Sequence, residues 1–218
     1  INILYQQQLL HIIRENALGN FGDLLRAVSK SAAMIAFLNN QQNKKQHPNE
    51  NFAREVMELF TMGRGHYTET DIKEAARAFT GWSFRLNGDF VFRPNDHDKG
   101  IKTLLGKSGN FDGDDVLDIL LENRETAQFI TRKMYRFLVN DTLVPEERIS
   151  WLANRFYESG YQIMRLLDDI VRSDWFYAPE NTGNRIKSPV EYWVGIRRIL
   201  PLELEDPEVQ LKLQRVLD

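Results

Sequence analysis

The segment PNENFAREVMELFTMGRGHYTETDIKEAARAFTGW, residues 48–82, carries the strongest fold signals in this chain. Pro48 precedes a helical pattern that Gly63 and Gly65 end, which predicts a helix from about 51 to 62. Its apolar residues share one arc at 100° per residue: Phe52, Val56, Leu59 and Phe60. Its charged residues share another arc: Arg54, Glu55 and Glu58. The segment therefore predicts an amphipathic helix with a dense polar face.

A second helix follows in the same segment. Thr68 and Asp71 have the spacing of a capping box, and Tyr67 and Ile72 have that of a hydrophobic staple. Half of the predicted inner face is alanine: Ile72, Ala75, Ala76 and Phe79. Small side chains allow a neighbouring helix to approach closely, so we expect this helix to pack in the interior.

The chain changes period after Gly81. In WSFRLNGDFVFRP, aromatic and aliphatic residues alternate on both sides of Asn87-Gly88, the dipeptide favoured in a two-residue type I′ turn. We predict one small β-hairpin near 82–93. The span from Thr103 to Leu105 has the pattern of a further short strand. It does not fit a phosphate-binding loop, because five residues separate Gly100 and Gly106 where that motif has four.

Helical periodicity dominates the rest of the chain. Three helices are predicted before residue 39, and others near 112–122, 125–139, 146–159, 163–173, 189–200 and 207–217. Residues 39–50 contain no core-forming side chain and are predicted to be a mobile loop. The predicted fold is mainly α: an irregular domain of about ten helices with one hairpin, spanning 1–218 as a single domain.

Composition limits the classes of function. The chain has 28 Lys and Arg against 31 Asp and Glu, a formal net charge of −3, so we predict no nucleic-acid partner. It has no cysteine, which excludes disulfides, thiolate zinc sites and cysteine nucleophiles. No apolar run approaches the roughly 20 residues of a transmembrane helix. The chain opens at Ile1 without an initiator Met, and we expect it to be a fragment of a longer protein.

The block NENFAREVMELFTMGRGHYTETDIKEAARAFTGWSF, residues 49–84, resembles the bacterial family of domain of unknown function 1800 (DUF1800). Members carry a similar N-E-N-[YF]-A-R-E-x-x-E-L run, then Gly, Tyr-[ST] and A-R-A-x-T-G-W. Further matching features cover nearly the whole chain: Phe90, Phe92, His97-Asp98, Lys102, Leu105-Gly106, the helix ETAQFITRKMYRFLV and the segment 187–191. The resemblance implies a mainly helical bacterial protein, commonly exported to the periplasm or cell surface, with no established activity. A Trp- and His-bearing segment typical of the family would lie upstream of Ile1.

The polar face of the 51–62 helix is the first candidate site. Glu55 and Glu58 lie one turn apart. Two carboxylates in this arrangement can bind a cation or act as general acid and base, and Arg54 can tune their pKa values. Asn49, Asn51 and Arg54 are the predicted ligand-binding residues. The alternative is structural: Asn51 caps the helix and Arg54 pairs with Glu58 at i, i+4.

The second candidate is RPNDHDKG, residues 93–100. His97 between two aspartates can supply a metal ligand, with Asp98 orienting it. The same pattern is common in solvated turns, so both interpretations stay open. A basic group on the predicted 125–139 helix is interpreted as solvated surface instead: Arg124, Arg132, Lys133 and Arg136.

Two functional hypotheses follow. The first is a non-catalytic binding, partner-docking or structural domain of an exported protein. The second is a hydrolase-type enzyme, acid/base or metal-assisted, using Glu55, Glu58, His97 and Asp98. The pattern requires no cofactor, and a divalent metal is the candidate for the second hypothesis. A protein partner fits the first.

Overall fold

The computed structural model describes residues 2–184 and 186–200 and positions 208 and 212. The chain forms two compact units, residues 1–176 and 177–218. The α-helices of the first unit are α1 (Ile3–Asn16), α2 (Phe21–Ser29), α3 (Ala32–Phe37), α4 (Asn51–Glu55), α5 (Glu69–Ala78), α6 (Gly113–Glu122), α7 (Arg124–Leu138), α8 (Glu146–Glu158) and α9 (Ile163–Val171). The second unit contains α10 (Pro189–Ile199).

The remaining elements are short. A π-helix spans Val56–Thr61, and 3₁₀ helices span Asn40–Gln42, Asp174–Tyr177 and Pro179–Asn181. The strands are β1 (Trp82–Phe84), β2 (Phe90–Phe92), β3 (Lys102–Leu104) and β4 (Lys107–Gly109). The predicted mainly α fold of about ten helices is confirmed for the described residues. The helix predicted near 207–217 falls on residues outside the described ranges, apart from positions 208 and 212. Within those ranges, none of the helices has the length and apolar character needed to cross a bilayer.

Three predicted helix starts are confirmed by their hydrogen bonds. Reciprocal capping boxes join Thr68 with Asp71, Asp112 with Asp115, and Ser188 with Glu191. Each box satisfies backbone N–H groups that the first helical turn leaves without an intrahelical partner. These three starts depend on residues within four positions of each other, which is why sequence alone locates them.

The β structure differs from the prediction in two ways. β1 and β2 pair antiparallel with Phe84 opposite Phe90, and a second hairpin pairs Lys102 of β3 with Gly109 of β4. The first turn is not type I′, which needs positive φ at both central residues. Of the turn residues, only Gly88 has a positive φ, of +90°. The Arg85 N–H donates to the Asp89 carbonyl at 2.9 Å, which closes a three-residue loop.

Helix α1 accounts for part of this difference. The Tyr5 hydroxyl donates to the Leu86 carbonyl, and the Gln8 amide donates to the Asn87 carbonyl. These contacts hold the turn backbone against a helix about 80 residues earlier in the chain. The Asn87-Gly88 signal located the turn correctly, but tertiary contacts select a longer loop.

Aromatic side chains form the centre of the main core. Phe79 lies 5.0 Å from Phe52 and 5.1 Å from Trp82 between ring centroids, and Trp82 lies 5.2 Å from Phe90. All three contacts are edge-on, the arrangement that aromatic quadrupoles favour. Trp82 also packs on Gly113, where an added Cβ would lie 2.3 Å from the indole ring. Helix α6 therefore approaches the core through a glycine.

Side chains of α7, α8 and α9 form a second buried cluster. It includes Tyr135, Ile149, Leu152, Phe156 and Leu166. Phe21 packs against both clusters, which joins the two halves of the first unit.

The helix predicted from 51 to 62 changes type part-way. It is α-helical to Glu55 and then π-helical, and it ends at Gly63, whose φ is +76°. A π turn holds more residues than an α turn, so the faces assigned at 100° per residue do not persist. Met57, left off the predicted apolar arc, is fully buried, whereas Leu59 on that arc is 43% exposed.

The predicted loop 39–50 contains two fully buried asparagines. Asn43 donates its amide to the Ala76 carbonyl at 2.8 Å and accepts from the Asn49 N–H at 2.9 Å. Asn40 donates to the carbonyls of Phe79 and Trp82. These side chains satisfy backbone groups at the end of α5, so this polar segment does contribute to the interior. The mobility predicted for 39–50 stays a prediction.

Candidate functional site

The first predicted site begins where the chain enters α4. The Asn49 side chain accepts a hydrogen bond from the Asn51 N–H at 3.0 Å, and the Asn51 amide donates to the Leu38 carbonyl at 3.3 Å. The prediction that Asn51 caps the helix is wrong, because Asn49 supplies the local acceptor. Asn51 instead ties the start of α4 to the end of α3.

Arg54 binds two carboxylates. Its guanidinium donates to both carboxylate oxygens of Glu69, at 2.9 and 2.7 Å, and to Glu50 at 3.3 Å. The hydrogen bond to Glu69 raises the pKa of Arg54 and lowers the pKa of Glu69. The predicted Arg54–Glu58 pair is therefore replaced by a longer-range bridge, which ties α4 to the first turn of α5.

Glu58 and Glu55 have different surroundings. Glu58 accepts from the Arg64 guanidinium and from the Tyr67 hydroxyl at 3.3 Å, and its side chain is 16% exposed. Burial, followed by the nearby Glu58 charge, raises the pKa of Tyr67. Glu55 is half-buried and forms no hydrogen bond or ion pair within the described part of the chain.

The three predicted ligand-binding residues do share a surface. Asn49, Asn51 and Arg54 line a wide, shallow polar depression, together with Gln42, His47, Pro48 and Glu50. Both amides and the guanidinium already hold contacts within the protein. Their role as ligand-binding residues stays a prediction.

His97 lies in the interior. Its Nδ1 is 2.9 Å from the Thr80 carbonyl, and its ring meets the Phe92 ring edge-on at 5.2 Å. Since a carbonyl only accepts, this contact favours the tautomer with the proton on Nδ1. The imidazole therefore fastens the 93–100 loop to the end of α5.

Asp98 accepts several hydrogen bonds. Arg77 donates through Nε at 2.7 Å and through a terminal nitrogen at 3.3 Å, and the Gly100 N–H donates at 2.8 Å. The Arg77 hydrogen bond is the main reason that the pKa of Asp98 lies below its ordinary value. Arg77 also binds Glu74 at 2.8 Å, so one guanidinium joins α5 to the loop.

Lys102 is the most buried charged residue near this loop. Its ammonium donates to the carbonyls of Asp98 at 2.5 Å and Gly100 at 3.1 Å, and to the Asn110 side chain at 3.4 Å. Burial lowers the pKa of Lys102. The three contacts match the three donors of an ammonium. In the sequence, Lys102 stood out only through the family resemblance, since its burial depends on contacts that no local pattern shows.

The predicted catalytic residues do not share hydrogen-bond partners, and Glu55 forms no hydrogen bond or ion pair within the described residues. His97 and Asp98 contact Thr80 and Arg77 on one side of α5, whereas Glu58 contacts Arg64 and Tyr67 before α5 begins. In the described ranges, no three His, Asp or Glu side chains converge in a way that suits a metal ion.

An apolar cleft of about 310 Å³ lies among α1, α2, α3, α4, the π-helix and α7. Its lining residues are Ile13, Phe21, Leu24, Leu25, Val28, Ser29, Met34, Phe52, Val56, Leu59, Phe60, Ile130 and Lys133. Only Ser29 and Lys133 have polar side chains. No sequence pattern indicated this cleft, because apolar residues that line an opening follow the same periodicity as residues that fill a core.

Comparison with known proteins assigns the chain to a family. The family model described as "Protein of unknown function (DUF1800)" matches residues 1–217. No curated protein and no solved structure matches the chain. The chain therefore belongs to the DUF1800 family, as the 49–84 block predicted.

Proposed function

We propose that this DUF1800 chain acts as a non-catalytic binding domain whose ligand occupies the apolar cleft between α1, α2, the π-helix and α7. The cleft is the observation that carries the proposal. Its volume of about 310 Å³ falls within the roughly 300–1,000 Å³ of small-molecule sites. Such sites are lined mainly by apolar side chains with a few polar groups, and this cleft has two.

The hydrogen-bonded polar residues around α4 and α5 are here named the polar block: Asn40, Asn43, Glu50, Arg54, Glu58, Glu69, Arg77, Asp98 and Lys102. Their contacts support an architectural role for this block. Arg54 joins α4 to α5, and Glu58 joins the π-helix to the segment before α5. Phe52 and Val56, on the opposite side of the same helical segment, line the cleft. The polar residues thus fix the helix whose apolar face forms a wall of the binding site.

Dye binding tests the proposal. The neutral dye N-phenyl-1-naphthylamine gains fluorescence in apolar surroundings, and we expect saturable binding to the wild-type chain. Val28 is half-buried and lines the cleft, so Val28→Trp should fill part of the space and weaken dye binding about tenfold or more.

The matched control is Met164→Trp. Met164 lies exposed on α9 and outside the cleft lining, so it adds the same ring without filling the cleft. We expect this variant to bind the dye as the wild type does. Absence of saturable binding to the wild type, or equal binding by both tryptophan variants, would overturn the proposal.

A catalytic role is the alternative, and Glu55 is the observation that favours it. It is the one predicted catalytic residue that forms no hydrogen bond or ion pair in the described structure, and it lies directly before the π-helix. π-Helical turns are frequent at functional sites. In this alternative, Glu55 acts as the base or a cation ligand beside Glu58. Saturable Mn²⁺ or Zn²⁺ binding in calorimetry, abolished by Glu55→Gln but kept by Glu69→Gln, would favour the enzyme.

The proposal also includes the cellular location of the domain. The family resemblance suggests an exported bacterial protein in which a binding domain meets small molecules or protein partners outside the cytoplasm. Fractionation of cells that express the full-length protein tests this point. Recovery in the cytoplasmic fraction alone would contradict it.

A further inference from the structure

We propose that the ligand of the apolar cleft is an aliphatic carboxylate, a fatty-acid-like molecule whose chain enters the cleft and whose carboxylate binds Lys133. This inference rests on the proposed binding function and adds the chemical class of the ligand. Three features of the cleft support it: the cation at its mouth, a serine hydroxyl in its lining, and its size.

Lys133 supplies the cation. Its ammonium donates to the Leu59 carbonyl at 3.0 Å and lies 5.1 Å from the centre of the Phe129 ring. It forms no ion pair within the described residues, and its side chain is exposed. An ammonium has three donors, so two are free for an anion. Charge-assisted hydrogen bonds to a carboxylate are among the stronger ones in proteins.

The π-helix accounts for the position of this ammonium. The last carbonyls of a helix have no intrahelical partner. Near the end of the π-helix, Lys133 satisfies the Leu59 carbonyl, while the N–H groups of Met62 and Gly63 both point to the Met57 carbonyl. The sequence placed Lys133 on a solvated basic face. The structure instead holds its charge beside Leu59, which itself lines the cleft.

Ser29 provides the second polar group. The residue is 3% exposed, and it is one of the two polar residues that line the cleft. A hydroxyl can donate a hydrogen bond, so it suits a ligand that carries an acceptor. Among the described residues, no acidic side chain lines the cleft. An anionic or acceptor-rich group therefore complements the lining, whereas a ligand cation meets only Lys133.

The volume indicates the length of the apolar part. A cavity of about 150 Å³ lined by aliphatic and aromatic side chains binds benzene. The cleft has about 310 Å³, roughly twice that volume, which suits a medium-length alkyl chain. Decanoate is a suitable probe, and decanol and decylamine match its chain with a neutral and a cationic head.

Calorimetric titration of the three probes tests the inference on the full chain. We expect decanoate to bind about tenfold more tightly than decanol, as one charge-assisted contact predicts, and decylamine to bind most weakly. Lys133→Met keeps the length of the side chain and removes its charge. It should abolish the preference for decanoate and leave decanol binding within about twofold.

Two further variants control the experiment. Lys99→Met removes an exposed lysine outside the cleft and should leave all three affinities unchanged. Ser29→Ala removes the buried hydroxyl and should weaken decanoate binding severalfold. Circular dichroism and melting curves establish that each variant is folded.

The outcomes separate the two claims. Equal binding of decanoate and decanol by the wild type would overturn the carboxylate inference and leave the cleft as a binding site. Unchanged decanoate preference in Lys133→Met would also overturn it. If none of the three probes binds, the inference fails, and the dye experiment decides separately on the cleft.

Discussion

The polar block around α5 and the apolar cleft beside α2 differ in how completely their polar groups are paired. In the polar block, Arg54, Asp98 and Lys102 each hold two or more partners within the protein. In the cleft, Lys133 donates to one carbonyl and keeps two donors free. The region with the most charged and amide side chains therefore has fewer polar groups free to bind a ligand.

The comparison changes which residues deserve a functional test. A dense set of charged and amide side chains suggests a site when read as sequence, yet structural ion-pair networks have the same composition. Most buried polar groups in proteins are hydrogen-bonded, so a buried group without a partner is the more informative one. Glu55 is half-buried and forms no hydrogen bond or ion pair within the described residues, so it is a better candidate for ligand contact than Arg54 or Asp98.

The largest expected effect is the loss of a buried asparagine from the polar block. Asn43→Ala removes two donated hydrogen bonds and leaves the Ala76 carbonyl and the Asn49 N–H without partners. We expect the free energy of unfolding to fall by about 2–4 kcal/mol, measured by urea denaturation.

The control for this variant is Gln46→Ala. Gln46 is an exposed amide in the same segment, and we expect its loss to change stability by less than about 0.5 kcal/mol. Equal stability of the two variants would show that the hydrogen bonds of Asn43 contribute little to the free energy of unfolding. It would also weaken the contrast between the paired polar groups of the polar block and those of the cleft.

The second prediction concerns Asp98 and pH. The pKa of Asp98 is lowered in the folded state, so its ionised form stabilises the fold above the unfolded pKa of about 3.9. That contribution is lost as the pH falls through the lower, folded pKa. We expect Asp98→Asn to destabilise the chain by about 1–3 kcal/mol at pH 7.

Below about pH 3.9 the difference between wild type and Asp98→Asn should shrink. Chemical denaturation at several pH values measures it. Asp174→Asn is the control, because Asp174 is exposed and forms no ion pair in the described structure. A constant gap between wild type and Asp98→Asn from pH 7 to pH 2 would contradict the Arg77–Asp98 account.

The smallest predicted effects separate the two glutamates of the first site. Glu58→Ala removes the acceptor of Arg64 and Tyr67 and should lower the melting temperature by about 2 °C. Glu55→Ala removes no hydrogen bond or ion pair seen among the described residues and should leave the melting temperature within about 1 °C of wild type. Differential scanning calorimetry makes the comparison. A larger loss with Glu55→Ala would mean that this carboxylate is part of the polar network.

Local rules predicted much of the fold from sequence. Capping boxes such as Thr68–Asp71 involve residues three apart, so helix starts could be located without tertiary information. The π-helix could not, because the register from Val56 to Thr61 depends on burial of Met57 and on the approach of Phe129 to Gly63. The hairpin turn at Asn87 likewise depends on α1.

The contacts around the candidate sites were harder to predict from sequence than the fold. The sequence identified the residue types of the first site, but Arg54 binds Glu69, fifteen residues away, rather than Glu58 one turn away. The cleft went unnoticed because Leu24, Val28 and Ile130 have the periodicity of ordinary core positions. Sequence periodicity indicates which side chains avoid water but does not show where packing leaves a gap.

A methyl-resolved NMR titration with decanol tests the central claim most directly. The account predicts saturable shifts at the methyl groups of Leu24, Val28, Met34 and Ile130, all of which line the cleft. Methyl groups outside the lining, such as those of Ile149 and Met164, should not shift. Absence of saturable shifts at the cleft methyls, or shifts confined to residues around His97 and Asp98, would contradict it.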